Sequence, residues 1–297
     1  MQHPVVSDVA EHDGQDEDED EDEDDCWTPL QRAALAGDLA RVRAALAAEG
    51  GADVNAPARG YYGRTALQAA CSAASPAEEV EEVVSALLAA GAEVNDGPGN
   101  NDAKNALQIA CGRADGAAGI SACAAGAGGV VATLLEAGAD VNAAAAATGG
   151  RTALQAASGG GFEAIAREVM GRGADVNAAA CRARGFTALQ AASYGGHEGV
   201  VGMLLEAGAD VEAEGSRFKG GKALHAAAEG GHVRVCAMLL DAGAEIDAGA
   251  GAGAGAGRGG RQTALQCAAA RGHGEVVALL RGRGATGTEA GGTFLFG

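Results

Sequence analysis

The hexapeptide Thr-Ala-Leu-Gln-Ala-Ala begins at Thr65, Thr152 and Thr187, and degenerate copies begin at Thr28, Asn105, Lys222 and Thr263. The start-to-start spacings are 37, 40, 47, 35, 35 and 41 residues. A second motif, Gly-Ala-Asp-Val-Asn or a near copy, follows each of the first six at Gly51, Gly91, Gly138, Gly173, Gly208 and Gly243. Two motifs held in phase over most of a 297-residue chain define a repeat array, in which each unit contacts only its neighbours.

The unit starting at Thr187 illustrates what each repeat can build. The Thr187 hydroxyl is suited to cap a helix N-terminus by accepting an orphan backbone N–H. Leu189, Ala191 and Ala192 give that short helix a thin apolar face, and Gly195-Gly196 end it. His197 and Glu198 open a second helix in which Val200, Val201, Leu204 and Leu205 recur at helical spacing. Gly208 then stands where a left-handed C-cap requires glycine. A polar, Gly-rich stretch of about ten residues leads to the next unit as an extended, hairpin-like loop. With 75 Ala and 50 Gly but only nine aromatic residues, no unit can bury a core alone, so closely approaching helix pairs must complete it by stacking.

These phased residues resemble the ankyrin repeat. The resemblance is carried by Thr-Pro-Leu at Thr28, Thr-Ala-Leu elsewhere, Gly-His at 196–197, 231–232 and 272–273, and the Gly-Ala-Asp-Val-Asn segments. The wording LQAASYGGHE is also similar to arrays common in fungal proteins. The implied fold is an all-α-dominated solenoid of seven helix-turn-helix units over residues 26–288, with units starting near 28, 65, 105, 152, 187, 222 and 263. Residues 1–25 form an acidic disordered tail in this reading, and 289–297 a short C-terminal tail. Arg41 and Arg43 in the first unit, and Arg281 in place of the usual second Leu of the last, suit capping units with a polar outer face.

Unit two carries about five extra residues, including Ser75-Pro76, and unit three about twelve between its helices. Both insertions read as poorly ordered, and the second as interrupting helix pairing, which makes unit three the expected soft point.

Nothing in the chain suggests convergent catalytic groups, a metal site or a cofactor. His197, His232 and His273 share one repeat position and read as helix-start residues bonded to backbone. His225 replaces the Gln of the other units. Cys71, Cys111, Cys236 and Cys267 fall on helical positions as small hydrophobes. Cys26, Cys123 and Cys181 fall outside the regular helices, where a redox role is conceivable. The glycine runs at 255–260 and 215–222 mimic nucleotide-binding loops, but the first follows no strand and the second has the wrong spacing. With no enzyme chemistry, no small-molecule substrate is expected.

The seven cysteines include no C-x-x-C pair, and neither a signal peptide nor an 18-residue apolar stretch is present. A reducing cytoplasm, or the nucleus, fits that pattern, with no membrane partner and a monomeric chain.

Of the net charge of −19, residues 1–25 supply −13, including the unbroken acidic run 16–25. The loops run the other way. The six inter-motif segments hold ten bases (Arg59, Arg64, Lys104, Arg151, Arg182, Arg184, Arg217, Lys219, Arg258 and Arg261) against Asp96, Asp102 and Glu214. Tyr61, Tyr62, Phe186, Tyr194 and Phe218 lie among them or beside them.

In ankyrin-like arrays the loops, or fingers, and the first helices form a concave binding face, which the resemblance transfers to these residues. Arg interleaved with Tyr and Phe is the composition favoured at protein interaction hot spots. A protein partner, acidic or phosphorylated, is the expected ligand, and overall acidity argues against nucleic acid. Two rivals are a binder of basic proteins acting through residues 8–25 and the recognition arm of a larger signalling protein. The abrupt GTFLFG ending fits the second rival, whereas Met1 fits a complete chain.

Overall fold

The computed structural model describes residues 27–59, 63–97, 104–112, 120–145, 150–182, 185–216, 221–249 and 262–288, with backbone alone for 120–127. Among the described residues the elements are fourteen α-helices and no β-strand. They form seven pairs: α1 Pro29–Leu35 with α2 Leu39–Ala47, α3 Ala66–Ser72 with α4 Ala77–Ala89, and α5 Ala106–Cys111 with α6 Ile120–Glu136. Next come α7 Ala153–Gly159 with α8 Glu163–Gly171 and α9 Ala188–Gly195 with α10 Glu198–Glu206. The last pairs are α11 Ala223–Gly230 with α12 Val233–Asp241 and α13 Ala264–Arg271 with α14 Gly274–Gly282. Odd-numbered helices pack in one row, even-numbered helices in a second, and each pair bridges the rows. The molecule is a solenoid.

The core is one repeated solution. Leu30, Leu67, Leu107, Leu154, Leu189, Leu224 and Leu265, each two residues after its cap, are fully buried. Leu87, Leu134, Val169, Leu204, Leu239 and Leu280 meet them from the outer row. In α2 only Val42 is buried, and in α14 only Val276 and Leu280, so both end units turn a polar outer face to water.

Six inner helices open with a full capping box. The Thr or Asn side chain accepts the N–H of the Gln three residues on, and that Gln accepts the cap's own N–H. In unit five the two bonds are 3.2 and 3.0 Å. The same Gln spends its amide on the following finger. Gln190 Nε2 donates to the Ala213 carbonyl at 2.8 Å, Gln155 to Ala178 at 3.0 Å, and Gln68 to Gly97 at 2.7 Å. One buried side chain therefore fixes where the helix starts and where the finger lies.

A second ladder joins units through the motif Asn. Asn142 donates to the Gly173 carbonyl at 2.9 Å and accepts from the Asp175 N–H at 2.8 Å. Asn55, Asn95 and Asn177 do the same to the next unit in turn. The accepting carbonyls belong to left-handed glycines of the next unit: Gly173 has φ 88° and Gly208 φ 83°.

The helix-start histidines bond backbone, and the carbonyl belongs to the preceding unit. Nε2 of His197, His232 and His273 donates to the carbonyls of Gly159, Tyr194 and Glu229 at 3.0, 2.9 and 3.0 Å. Ser75 takes this role in unit two, donating to the Ala36 carbonyl at 2.9 Å. Any Cβ on Gly196 or Gly231, both at positive φ, would overlap the ring of the next unit's histidine.

Three sequence expectations are corrected. The extra residues of unit two are ordered: they lengthen α4 to 13 residues, against 9 for α10. Glu78 and Glu79 in the first turn of α4 favour that extension through the helix dipole. In unit three part of the insertion is helical too, because α6 runs for 17 residues while still pairing with α5 and packing on α4. Residues 113–119 lie outside the described residues. Position 123 falls within α6, so Cys123 does not lie outside the helices.

Candidate protein-binding face

In units four and five the residue immediately before the cap lies along its own inner helix. Arg64, Lys104, Arg151 and Phe186 hold this position in units two to five and are half-buried. Arg151 extends over Gly159, seven residues after its cap, where an added Cβ would stand 3.4 Å from Nη1. In unit five the same two positions are Phe186 and Tyr194, whose rings stack with centroids 6.5 Å apart and planes 9° off parallel. Units two to four carry Ser72, Gly112 and Gly159 at the later position. The later position is thus held by small residues in units two to four and by an aromatic ring in unit five.

Arg182 stands exposed on the fourth finger, which makes a cleft of about 410 Å3 with the third. Its lining includes Asn142, Thr152, Asp175, Cys181 and Arg182, with an Ala-rich wall from both fingers. Cys181 is buried although it lies outside the helices, because its loop folds back closely on Gly185. Arg59, Lys104 and Arg182 make no ion pair among the described residues, whereas other cations do. Arg172 pairs with Glu168 at 3.1 Å, Arg234 with Glu198 at 3.1 Å and Arg283 with Asp241 at 2.8 Å.

Of the expected binding residues, Arg64, Lys104, Arg151, Arg182, Phe186 and Tyr194 are described. Phe186 and Tyr194 come together, and Arg151 lies over its own inner helix α7, which packs against α9. Tyr61, Tyr62, Arg184, Arg217, Phe218, Lys219 and Arg261 lie outside the described residues.

Two features of this face were missed in the sequence. Glu229, whose side chain is 1% exposed, occupies the position of Tyr194 one unit later and accepts from Arg271 Nη2 at 2.6 Å. A Glu and an Arg separated by a whole repeat plus an insertion carry no local spacing signal. The second feature is the replaced cap of unit six. Lys222 gives α11 no side-chain cap, and its ammonium pairs instead with Glu212 and, at 3.7 Å, with Glu245. Glu212 stands in the motif Asn position and accepts the Glu245 N–H at 2.9 Å. Burial pushes the Glu212 carboxyl up, but Lys222 and the Glu245 N–H together hold it below its ordinary value. The hydrogen bond from Lys222 to Glu212 raises the lysine in turn.

His225 takes the place of the box Gln, and its Nε2 contacts the Ala248 and Gln262 carbonyls, each at 3.0 Å. Its Nδ1 is buried without a hydrogen-bond partner. Burial pulls this imidazole down to about 4, partly opposed by the two carbonyls.

The described thiols Cys71, Cys111, Cys181, Cys236 and Cys267 are buried and form no disulfide among the described residues. Burial pushes Cys236 and Cys267 up to about 12 and raises Cys111 as well, which keeps them out of thiolate chemistry. Among the described residues no group of side chains is arranged to hold a metal. Nor is any helix there long and apolar enough to cross a membrane.

The family model described as "Ankyrin repeats (3 copies)" matches residues 120–215, 183–250 and 213–290, and the single "Ankyrin repeat" model matches 62–97. Among solved structures, the human ASB11 ankyrin repeat domain is similar with a TM-score of 0.63 and 24% sequence identity. That match covers 88% of this chain and 100% of the human domain, and at this identity it speaks to fold alone. No curated protein matches the chain in sequence.

Proposed function

We propose, on the premise that this chain belongs to the ankyrin-repeat family, that it is a non-catalytic module binding an acidic or phosphorylated protein through its fingers and inner helices. Repeats of this family generally serve as protein–protein interaction modules. The observation that carries the finer reading is the half-buried row Arg64, Lys104, Arg151, Phe186 just before four consecutive inner-helix caps, together with the exposed Arg59 and Arg182, which make no ion pair among the described residues. Guanidinium groups next to a stacked aromatic pair offer both a bidentate carboxylate or phosphate contact and an apolar anchor. Buried free thiols fit a reducing compartment, cytoplasmic or nuclear.

The test is capture from source lysate by the full chain and by an Arg151→Glu, Arg182→Glu variant of unchanged thermal stability. Loss of the captured proteins is expected. Retention of all of them refutes this face. The acidic run at 16–25 favours a second reading, a binder of basic proteins. A full-length chain with that run neutralised would then lose its partners while the arginine variant kept them.

A further inference from the structure

In units two to seven, the residues before the cap are the finger. In unit one the residues before Thr28 are Trp27, Cys26 and the ten-residue acidic run. Trp27 packs half-buried against the core at the position held later by Arg64, Lys104, Arg151 and Phe186. Trp27, from which the acidic run extends in sequence, therefore stands at the finger edge of the array, one unit from the first basic finger.

We propose that residues 16–25 act as an acidic finger ahead of the first repeat, docking on the basic finger face and competing there with the partner. This rests on the reading above, in that it takes the same cations to be the binding face.

Charge and reach both support the docking. Ten carboxylates meet a face whose unpaired cations Arg59 and Lys104 lie one and two units away. Helices stack about 10 Å apart, so Lys104 is roughly 20 Å from the point of exit and Arg151 roughly 30 Å. Ten extended residues span at most about 35 Å. The run can therefore cover the fingers of units one to three. A tethered segment acts at an effective concentration near the millimolar range, enough to oppose a weakly held acidic ligand without strong contacts of its own. With a screening length of about 8 Å at physiological salt, docking must weaken as salt rises.

The chain contains three lysines, Lys104, Lys219 and Lys222, spread along the array. Lys222, engaged by Glu212, opens an inner helix five units, roughly 50 Å of stacked helices, from Trp27, and Lys219 stands three residues before it in the sequence. Zero-length carbodiimide coupling of the full-length protein, read by mass spectrometry, uses them as a ruler. An isotopically mixed sample separates links within a chain from links between chains.

The expected result is intrachain amides from 16–25 to Lys104 and none to Lys219, with yield falling severalfold at about 0.5 M salt. A fluorescent peptide copying residues 16–25 provides the second measurement. It should bind a full-length variant with Asn and Gln in place of the ten acids about tenfold more tightly than it binds the native chain. Absence of Lys104 links, equal yield at both salts, or links mainly between chains overturns the proposal. Equal peptide affinity for native and neutralised chains also overturns it, while leaving the basic face as a binding surface. If the peptide binds neither chain, the finger-face reading falls as well.

Discussion

The junction between units five and six and the junction between units four and five are built on the same backbone with different chemistry. At the earlier one Asn177, Thr187 and Gln190 form neutral hydrogen bonds that satisfy cap, finger and next unit. At the later one Glu212, Lys222 and His225 occupy the equivalent positions. Glu212 still accepts the next unit's N–H, and His225 still reaches the finger carbonyl. The cap itself is lost: the His225 N–H turns to the Lys222 carbonyl at 3.0 Å, and His225 Nδ1 is left unpaired. The comparison teaches that the repeat demands a set of donors and acceptors at fixed places, not particular residues. Meeting that demand with ionisable groups should make this junction more responsive to pH and salt than its neighbour.

The largest effect expected from this difference comes with acidification. An unfolded imidazole titrates near 6.5, while in the fold His225 is held at about 4, chiefly by burial and secondarily by Lys222. The carbonyls of Ala248 and Gln262 and the Glu212 carboxylate only partly oppose this. The fold favours the neutral ring, so its contribution is whole above about pH 6.5 and is lost as pH falls toward 4. The shift corresponds to about 3 kcal/mol. Because each unit contacts only its neighbours, the loss should be local, appearing as faster hydrogen exchange in α11–α14 than in α7–α9. His225→Gln should flatten the profile. Equal acid sensitivity on both sides of the junction would remove the distinction.

Next in size is the neutral junction's dependence on its one buried amide. Gln190 is 1% exposed and serves the Thr187 N–H and the Ala213 carbonyl together. Gln190→Ala leaves both groups short of a partner, at a cost of about 2 kcal/mol. Urea denaturation at neutral pH checks it, and a change within error would mean that water satisfies both groups.

Much of this was legible in the sequence. The alternation of motifs fixed seven helix pairs, the Thr caps, and the left-handed glycines before each Asn, because those depend on contacts within one unit. The Thr-x-x-Gln spacing is itself a capping-box signal, so the Gln role was available to be read. The partners of His197, Ser75 and Glu229 were not, because each lies about a repeat length away. The insertions misled for a related reason. Gly and Ala content suggests disorder, but an outer helix can grow along its neighbour, as α6 does along α4. At the proposed binding face, composition singled out Phe186 and Tyr194, while only the structure brings their rings into a stack.

A smaller effect is expected for the inter-unit ladder. Asn177 makes two exposed bonds to unit five, 3.1 Å to the Gly208 carbonyl and 2.8 Å from the Asp210 N–H. Asn177→Ala should cost about 1 kcal/mol, since water can replace an exposed partner. Glu212→Ala should cost a similar amount, with a part that falls as salt rises, since its contribution is partly the Lys222 pair and partly the bond from the Glu245 N–H. Salt-independent losses for both would make the two junctions energetically alike.

The smallest effect isolates the cap. Lys222→Ala removes the pairs to Glu212 and Glu245, which are partly exposed and contribute at most about 1 kcal/mol. Lys222→Thr removes the same pairs but restores a hydroxyl that can accept the His225 N–H, as Thr187 accepts that of Gln190. A restored N-cap contributes about 1 kcal/mol, so the threonine variant should match the native protein at moderate salt and exceed the alanine variant by that margin. The comparison is best made near pH 7.5, where His225 is neutral in both states. If threonine and alanine prove equally stable, the backbone at 222 is committed to its 3.0 Å bond from the His225 N–H. The ionisable junction would then be a distinct solution, and not a neutral junction lacking its cap.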